Sequence, residues 1–177
     1  MALIWKEIRY TSNVKPEFLE LYKSAHNNAV DLLAEAEILY EKEKSARAFF
    51  LAFTALEEIS KSQLAADVFT GLIDEKEFSE YYRDHKKKIR RMAWATDEAR
   101  RYFDKWEDSY VELEPPAISS RMNALYVSLD KRTVQSPKQI VTAEEAKGVI
   151  RTVEAALDSI AKNEFMGYPP GTKGYMK

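Results

Sequence analysis

The chain has 177 residues, 45% of them hydrophobic and 12% aromatic, enough for one domain with a single sizeable core. With 27 basic and 29 acidic side chains its net charge is -2, so a polyanion is met by a local patch and not by the molecule's overall charge. Absence of cysteine excludes disulfides, thiolate nucleophiles and thiolate metal sites.

The opening MALIWKEIRY lacks the apolar run of a signal peptide, and AFFLAFTAL is too short to span a bilayer. The chain therefore reads as a cytoplasmic protein with no membrane partner. Residues 1–13 read as an irregular arm. Pro16 suits a first helical turn, and Phe18, Leu21, Tyr22, Ala25, Ala29, Leu32, Leu33, Ala36 and Leu39 carry a helical stripe to Glu41. A second helix is expected over about Lys44 to Thr70, stopped by Gly71. A third starts at Asp74, with Glu77 three residues on as in a capping box, and is expected to reach about Tyr110. The prolines of ELEPPAISS end that run. A short helix is expected over Ser120 to Val127, with Ser119 or Ser120 as cap, and DKRTVQSPKQI reads as a loop. The last helix opens at Thr142 and Glu145, a capping box, with the stripe Ala146, Val149, Ile150, Val153, Leu157 and Ile160. Residues 166–177 read as a mobile tail. The fold class is all-α: four long helices and a short one, in a single-domain bundle.

Three segments carry chemistry. In YYRDHKKKIRR, a helical wheel places His85 on a stripe with Phe78, Tyr82, Ile89 and Met92. Lys88 is the cation nearest that stripe, while Arg83, Lys87 and Arg90 face away. His85 is thus either a hydrogen-bonded core histidine or an inward-facing site residue. In ALEEISKS, Glu57 falls on the stripe of Ala46, Phe49, Phe50, Phe53 and Leu64, with Lys61 four residues later in the favourable order for an ion pair. That pair either fixes helix register or serves a site. A carboxylate on an apolar stripe needs a partner in both cases. In SSRMNALYVSLD, Arg121 and Tyr126 are five residues apart and not on one face, although a long arginine at a helix start can swing round.

Together the three segments resemble the AbiV-type abortive infection proteins, a branch of the HEPN superfamily. ALEEISKS is similar to that family's Glu-Glu-x-x-Lys segment, YYRDHKKKIRR to its His-x-x-Lys segment and RMNALYVSL to its Arg-x-x-Ala-Leu-Tyr-Val segment, in that order. SPKQIVTAEEA is similar to the way the family's last helix opens, and the set spans about residues 20 to 160. The resemblance implies a helical bundle that dimerises with its cleft at the dimer interface. It also implies a metal-independent endoribonuclease of phage defence or toxin–antitoxin systems, with no cofactor. The superfamily usually has Arg, then four to six residues, then His. Tyr126 stands in that place here, as is common in the AbiV branch, and Ser128 stands where the branch often has Asp.

On that resemblance, His85, Arg121 and Tyr126 are the candidate catalytic residues, Lys61 and Lys88 bind RNA phosphate, and Glu57 orients His85 or Arg121; no metal is required. The expected partners are RNA, a second copy of the chain, and an antitoxin or phage protein. Phe49, Phe50, Phe53 and the tyrosines read as apolar surface to spare for the homodimer. The rival reading is a helical dimer that binds RNA, a nucleotide or a protein and cleaves nothing. A di-iron carboxylate bundle needs Glu-x-x-His on two helices, whereas the two histidines, His26 and His85, both lack an acid three residues before them. His26 reads as structural. No nucleophile-elbow signal for a serine hydrolase is present.

Overall fold

A computed structural model describes residues 15–71, 73–83 and 118–165. The elements are α1 (Pro16–Glu41), α2 (Ser45–Phe69), α3 (Glu75–Arg83), α4 (Ile118–Asn123), β1 (Ser128–Asp130), β2 (Thr133–Gln135), α5 (Pro137–Ile140) and α6 (Ala143–Phe165). The fold is all-α, with one small hairpin as its only sheet among the described residues. The third helix is described only as far as Arg83. His85, Lys88, the N-terminal arm and the C-terminal tail lie outside the described residues.

Capping and turn chemistry set most boundaries. Pro16 occupies the first turn of α1, where a missing N–H costs nothing. Three residues, Lys42 to Lys44, reverse the chain into α2. Glu43 takes a left-handed conformation (φ 58°) while the Lys44 N–H donates to the Leu39 carbonyl at 2.9 Å. α2 ends at Gly71, whose φ of 77° a side chain would resist. The Glu77 N–H donates to Asp74 Oδ1 at 2.8 Å and starts α3. The capping box of α6 is reciprocal: the Thr142 N–H donates to Glu145 Oε2 at 2.7 Å, and the Glu145 N–H donates to Thr142 Oγ1 at 3.1 Å.

α2 is the central element, packed on α1 along its length and on α6. Alanines make the close approach possible: Ala25, Ala29 and Ala36 of α1 and Ala48, Ala52, Ala55, Ala65 and Ala66 of α2 are all buried. Phe53, Leu56 and Ile59 of α2 with Val149, Val153 and Ile160 of α6 fill the larger part of the core. A second cluster at the other end joins Phe18 and Tyr22 to Leu64, Val68 and Ile73. There Phe78 of α3 meets Phe18 edge-on, with ring centroids 5.0 Å apart. Buried Ser60, Ser62 and Thr152 satisfy their hydroxyls on carbonyls of their own helices.

Three expectations are corrected. α4 already contains Ser119 and Ser120 and ends at Asn123, so neither serine precedes it as a cap and Tyr126 lies beyond its end. The stretch read as a loop holds an antiparallel hairpin, with Leu129 opposite Val134 and Asp130 opposite Thr133, followed by α5. Its turn places Lys131 and Arg132 at φ 43° and 71°, positions that glycine or asparagine usually fill, so the turn left no signature in the sequence. Phe49 and Phe53 are buried core and offer no spare surface.

On the outer side, α1 and α6 bring two carboxyls together. Burial, chiefly, raises the Glu154 carboxyl above its usual range; a hydrogen bond with Glu37 and that residue's like charge add to this, and Arg151 pulls the other way. A carboxyl whose folded pKa is raised contributes stability that is complete below the unfolded value of about 4.3 and is lost as pH rises through the folded value. Glu154→Gln, uncharged throughout, should therefore melt above wild type at pH 7, and the difference in Tm should close as the pH is lowered towards about 4.

Candidate functional site on the open face of α2

Most of α2 is buried, which leaves one stripe within reach of solvent. Phe50, Thr54, Glu57 and Lys61 recur every three or four residues along it and are half-buried, with Leu51 and Glu58 beside them. α3 and α4 flank this stripe.

Arg121 comes in from α4. Its Nη1 lies 2.7 Å from Glu57 Oε2, and its guanidinium carbon is 5.3 Å from the centre of the Phe50 ring. Phe50 and Glu57 are two helical turns apart, so the arginine lies along α2 across Thr54. The two side chains of the pair are 25% and 16% exposed, so its charges are only partly screened by water. Arg121 Nε is buried with no hydrogen-bond partner, an orphan donor in the midst of the pair. Glu57 takes only part of a guanidinium that carries five N–H donors.

Lys61 does not pair with Glu57. Its ammonium is held by Glu58, three residues before it, at 2.5 Å, and lies 6.0 Å from the centre of the Tyr82 ring on α3. Sequence order favours the pairing with Glu57, but Arg121 occupies that carboxylate. A guanidinium gains more from a partly buried carboxylate than a flexible ammonium does. Tyr82 in turn stacks on Phe78 at 5.4 Å, which ties the Lys61 end of the stripe to the second core cluster.

Tyr126 is 57% exposed on the turn after α4, held by its N–H donating to the Met122 carbonyl at 3.0 Å. Its ring meets no charged or aromatic partner among the described residues. Of the expected site residues, the structure brings Arg121 and Glu57 into contact, sets Lys61 one turn further along the same stripe in a separate pair with Glu58, and leaves Tyr126 outside both contacts. Sequence reasoning missed Phe50 as the shelf under Arg121, Glu58 as the partner of Lys61 and Tyr82 as its neighbour. The doubled Glu57–Glu58 was the available signal, since two cations needed two carboxylates. Among the described residues no group of three His, Asp or Glu side chains is arranged to hold a metal ion.

The described residues form a mostly helical bundle with one small hairpin, consistent with an all-α HEPN-like fold. Residues 17–158 match the AbiV family of that group, and the chain belongs to it. Comparison with curated proteins and with solved structures yields no match. No helix among the described residues is long and apolar enough to cross a membrane.

A double-mutant cycle on Glu57 and Arg121, read by urea unfolding, should give a coupling of about 1.5–3 kcal/mol, as for a charged hydrogen bond shielded from solvent. Glu58 and Lys61 are equally shielded, at 14% and 21% exposed, so the same cycle on them should give a coupling of comparable size.

Proposed function

We propose that this AbiV-family protein is a phage-defence effector that cleaves RNA without a metal ion, as a homodimer, with the open stripe of α2 as the floor of its active cleft. The observation that carries this reading is the clamped Arg121. A guanidinium fixed by Glu57 and Phe50 is pre-positioned, so little of its freedom remains to be lost when it meets a phosphate.

In the proposed reaction a ribose 2′-hydroxyl loses its proton to a base and its oxygen attacks the adjacent phosphorus. The bond to the 5′-oxygen breaks, and that oxygen takes a proton from an acid. The products are a 2′,3′-cyclic phosphate and a 5′-hydroxyl. His85 supplies acid–base chemistry, since an unperturbed imidazole titrates near ~6.5. Arg121 stabilises the charge that builds on the non-bridging oxygens, Lys61 and Lys88 hold neighbouring phosphates, and Tyr126 donates to the RNA. Glu57 is a positioning residue that acts through Arg121.

A second reading is favoured by the charge balance. Arg121 and Lys61 are each already paired with a carboxylate, so the described stripe is electrically neutral. A neutral groove with fixed donors suits a protein that binds RNA, a nucleotide or a partner and leaves it intact.

The test uses end-labelled mixed RNAs in EDTA. Wild type should cleave and leave 2′,3′-cyclic ends. Arg121→Ala should slow cleavage at least ~10²-fold, as loss of a transition-state donor does, and His85→Ala should be comparably impaired. RNA that is retained but not cut, with retention weakened in Arg121→Ala, would favour the binding protein. Cleavage unchanged in Arg121→Ala would remove the arginine from the chemistry.

A further inference from the structure

Strands normally turn their apolar side chains inward. This hairpin does the reverse. Ser128 and Gln135, opposite each other, are half-buried against the domain, while Leu129 and Val134, also opposite each other, are 72% and 64% exposed. Val127, two residues before Leu129 and on its face, is 65% exposed. Five of the eight large apolar residues that lie exposed among the described ones fall between Met122 and Val134, which makes this a patch and not scatter. A one-residue shift of register would turn these side chains inward, so the outward apolar face is specified by the sequence. The tip is basic: Lys131 and Arg132 stand there, Lys138 follows, and Asp130 is the one acid between residues 122 and 141.

A complementary surface exists elsewhere on the same molecule. The outer face of α1 exposes Ile38 at 57% and Val30 at 44%. Around them lie exposed Asp31, Glu35, Glu37 and Glu41, with no lysine or arginine between Lys23 and Lys42. We infer that the hairpin of one copy docks on the outer face of α1 of a second copy. Leu129 and Val134 then cover Val30 and Ile38, and Lys131 and Arg132 meet Glu37 and Glu41. Exchanged reciprocally about a two-fold axis, two such contacts close a dimer and leave neither patch bare. The hairpin continues from α4, so docking also ties the segment carrying Arg121 to the partner copy.

This inference rests on the homodimer of the reading above and names its surfaces. The lack of native cysteine makes the test clean. Leu129→Cys and Ile38→Cys are made in separate copies, mixed and oxidised, alongside light scattering of wild type. Wild type should be dimeric, and the mixture should give a disulfide-linked mixed dimer at least ~tenfold above either copy alone. Lys131→Glu with Arg132→Glu should weaken dimerisation at least ~tenfold, and adding Glu37→Lys with Glu41→Lys to the same chain should bring it back. A monomeric wild type overturns both the homodimer and this contact. A dimer that links Leu129→Cys copies to each other, or gives no mixed product, or is not restored by the charge exchange, overturns this contact alone.

Discussion

Burial of α2 on every side but one is the constraint on which the rest depends. A central helix that packs on α1 through alanines and on α6 through branched side chains retains a single narrow face for anything else. That face carries Phe50, Thr54, Glu57 and Lys61, and its two acids stand where a fully buried helix would place apolar residues. Carboxylates so nearly removed from water require cations. Arg121 from α4 and Lys61 from α2 itself meet that need. The electrostatics of α2 therefore fix where the short helix sits, and Arg121 is fixed with it.

The same geometry lets the ion pair and the proposed role of Arg121 coexist. An ion pair in this partly buried setting holds one edge of the guanidinium and leaves the rest of its donors to be satisfied by something else. The orphaned Nε shows that the protein itself does not satisfy them all. A phosphate placed over the stripe would meet a cation already oriented by Glu57, with the Phe50 ring centre 5.3 Å from its guanidinium carbon.

The first, second and last helices, and the start of α3, were legible because their boundaries rest on local chemistry: Pro16, the Gly71 stop, the Asp74 cap and the Thr142–Glu145 box each act within one turn of chain. Their stripes were legible because burial repeats with the helical period. The hairpin escaped notice because its turn uses Lys131 and Arg132, and because its apolar residues face outward on three-residue strands too short to show alternation. At the site, Glu57 stood out as a carboxylate on an apolar stripe, resemblance to the family gave it and Arg121 their expected roles, and spacing assigned Glu57 to Lys61. That assignment failed because periodicity sees only one helix at a time. The competing guanidinium arrives from a segment more than fifty residues away, and no pattern within α2 reports it.

We propose that RNA meets this protein on the open stripe of α2, beside Arg121. The most direct measurement is the backbone amide spectrum of the 15N-labelled protein during titration with a 2′-O-methyl RNA oligonucleotide, which offers phosphates and bases but no free 2′-hydroxyl to react. The largest shifts should fall on Phe50, Thr54, Glu57, Lys61 and Arg121 and vanish at high salt. Shifts confined to the hairpin or to the outer face of α1, with the stripe unmoved, would contradict it.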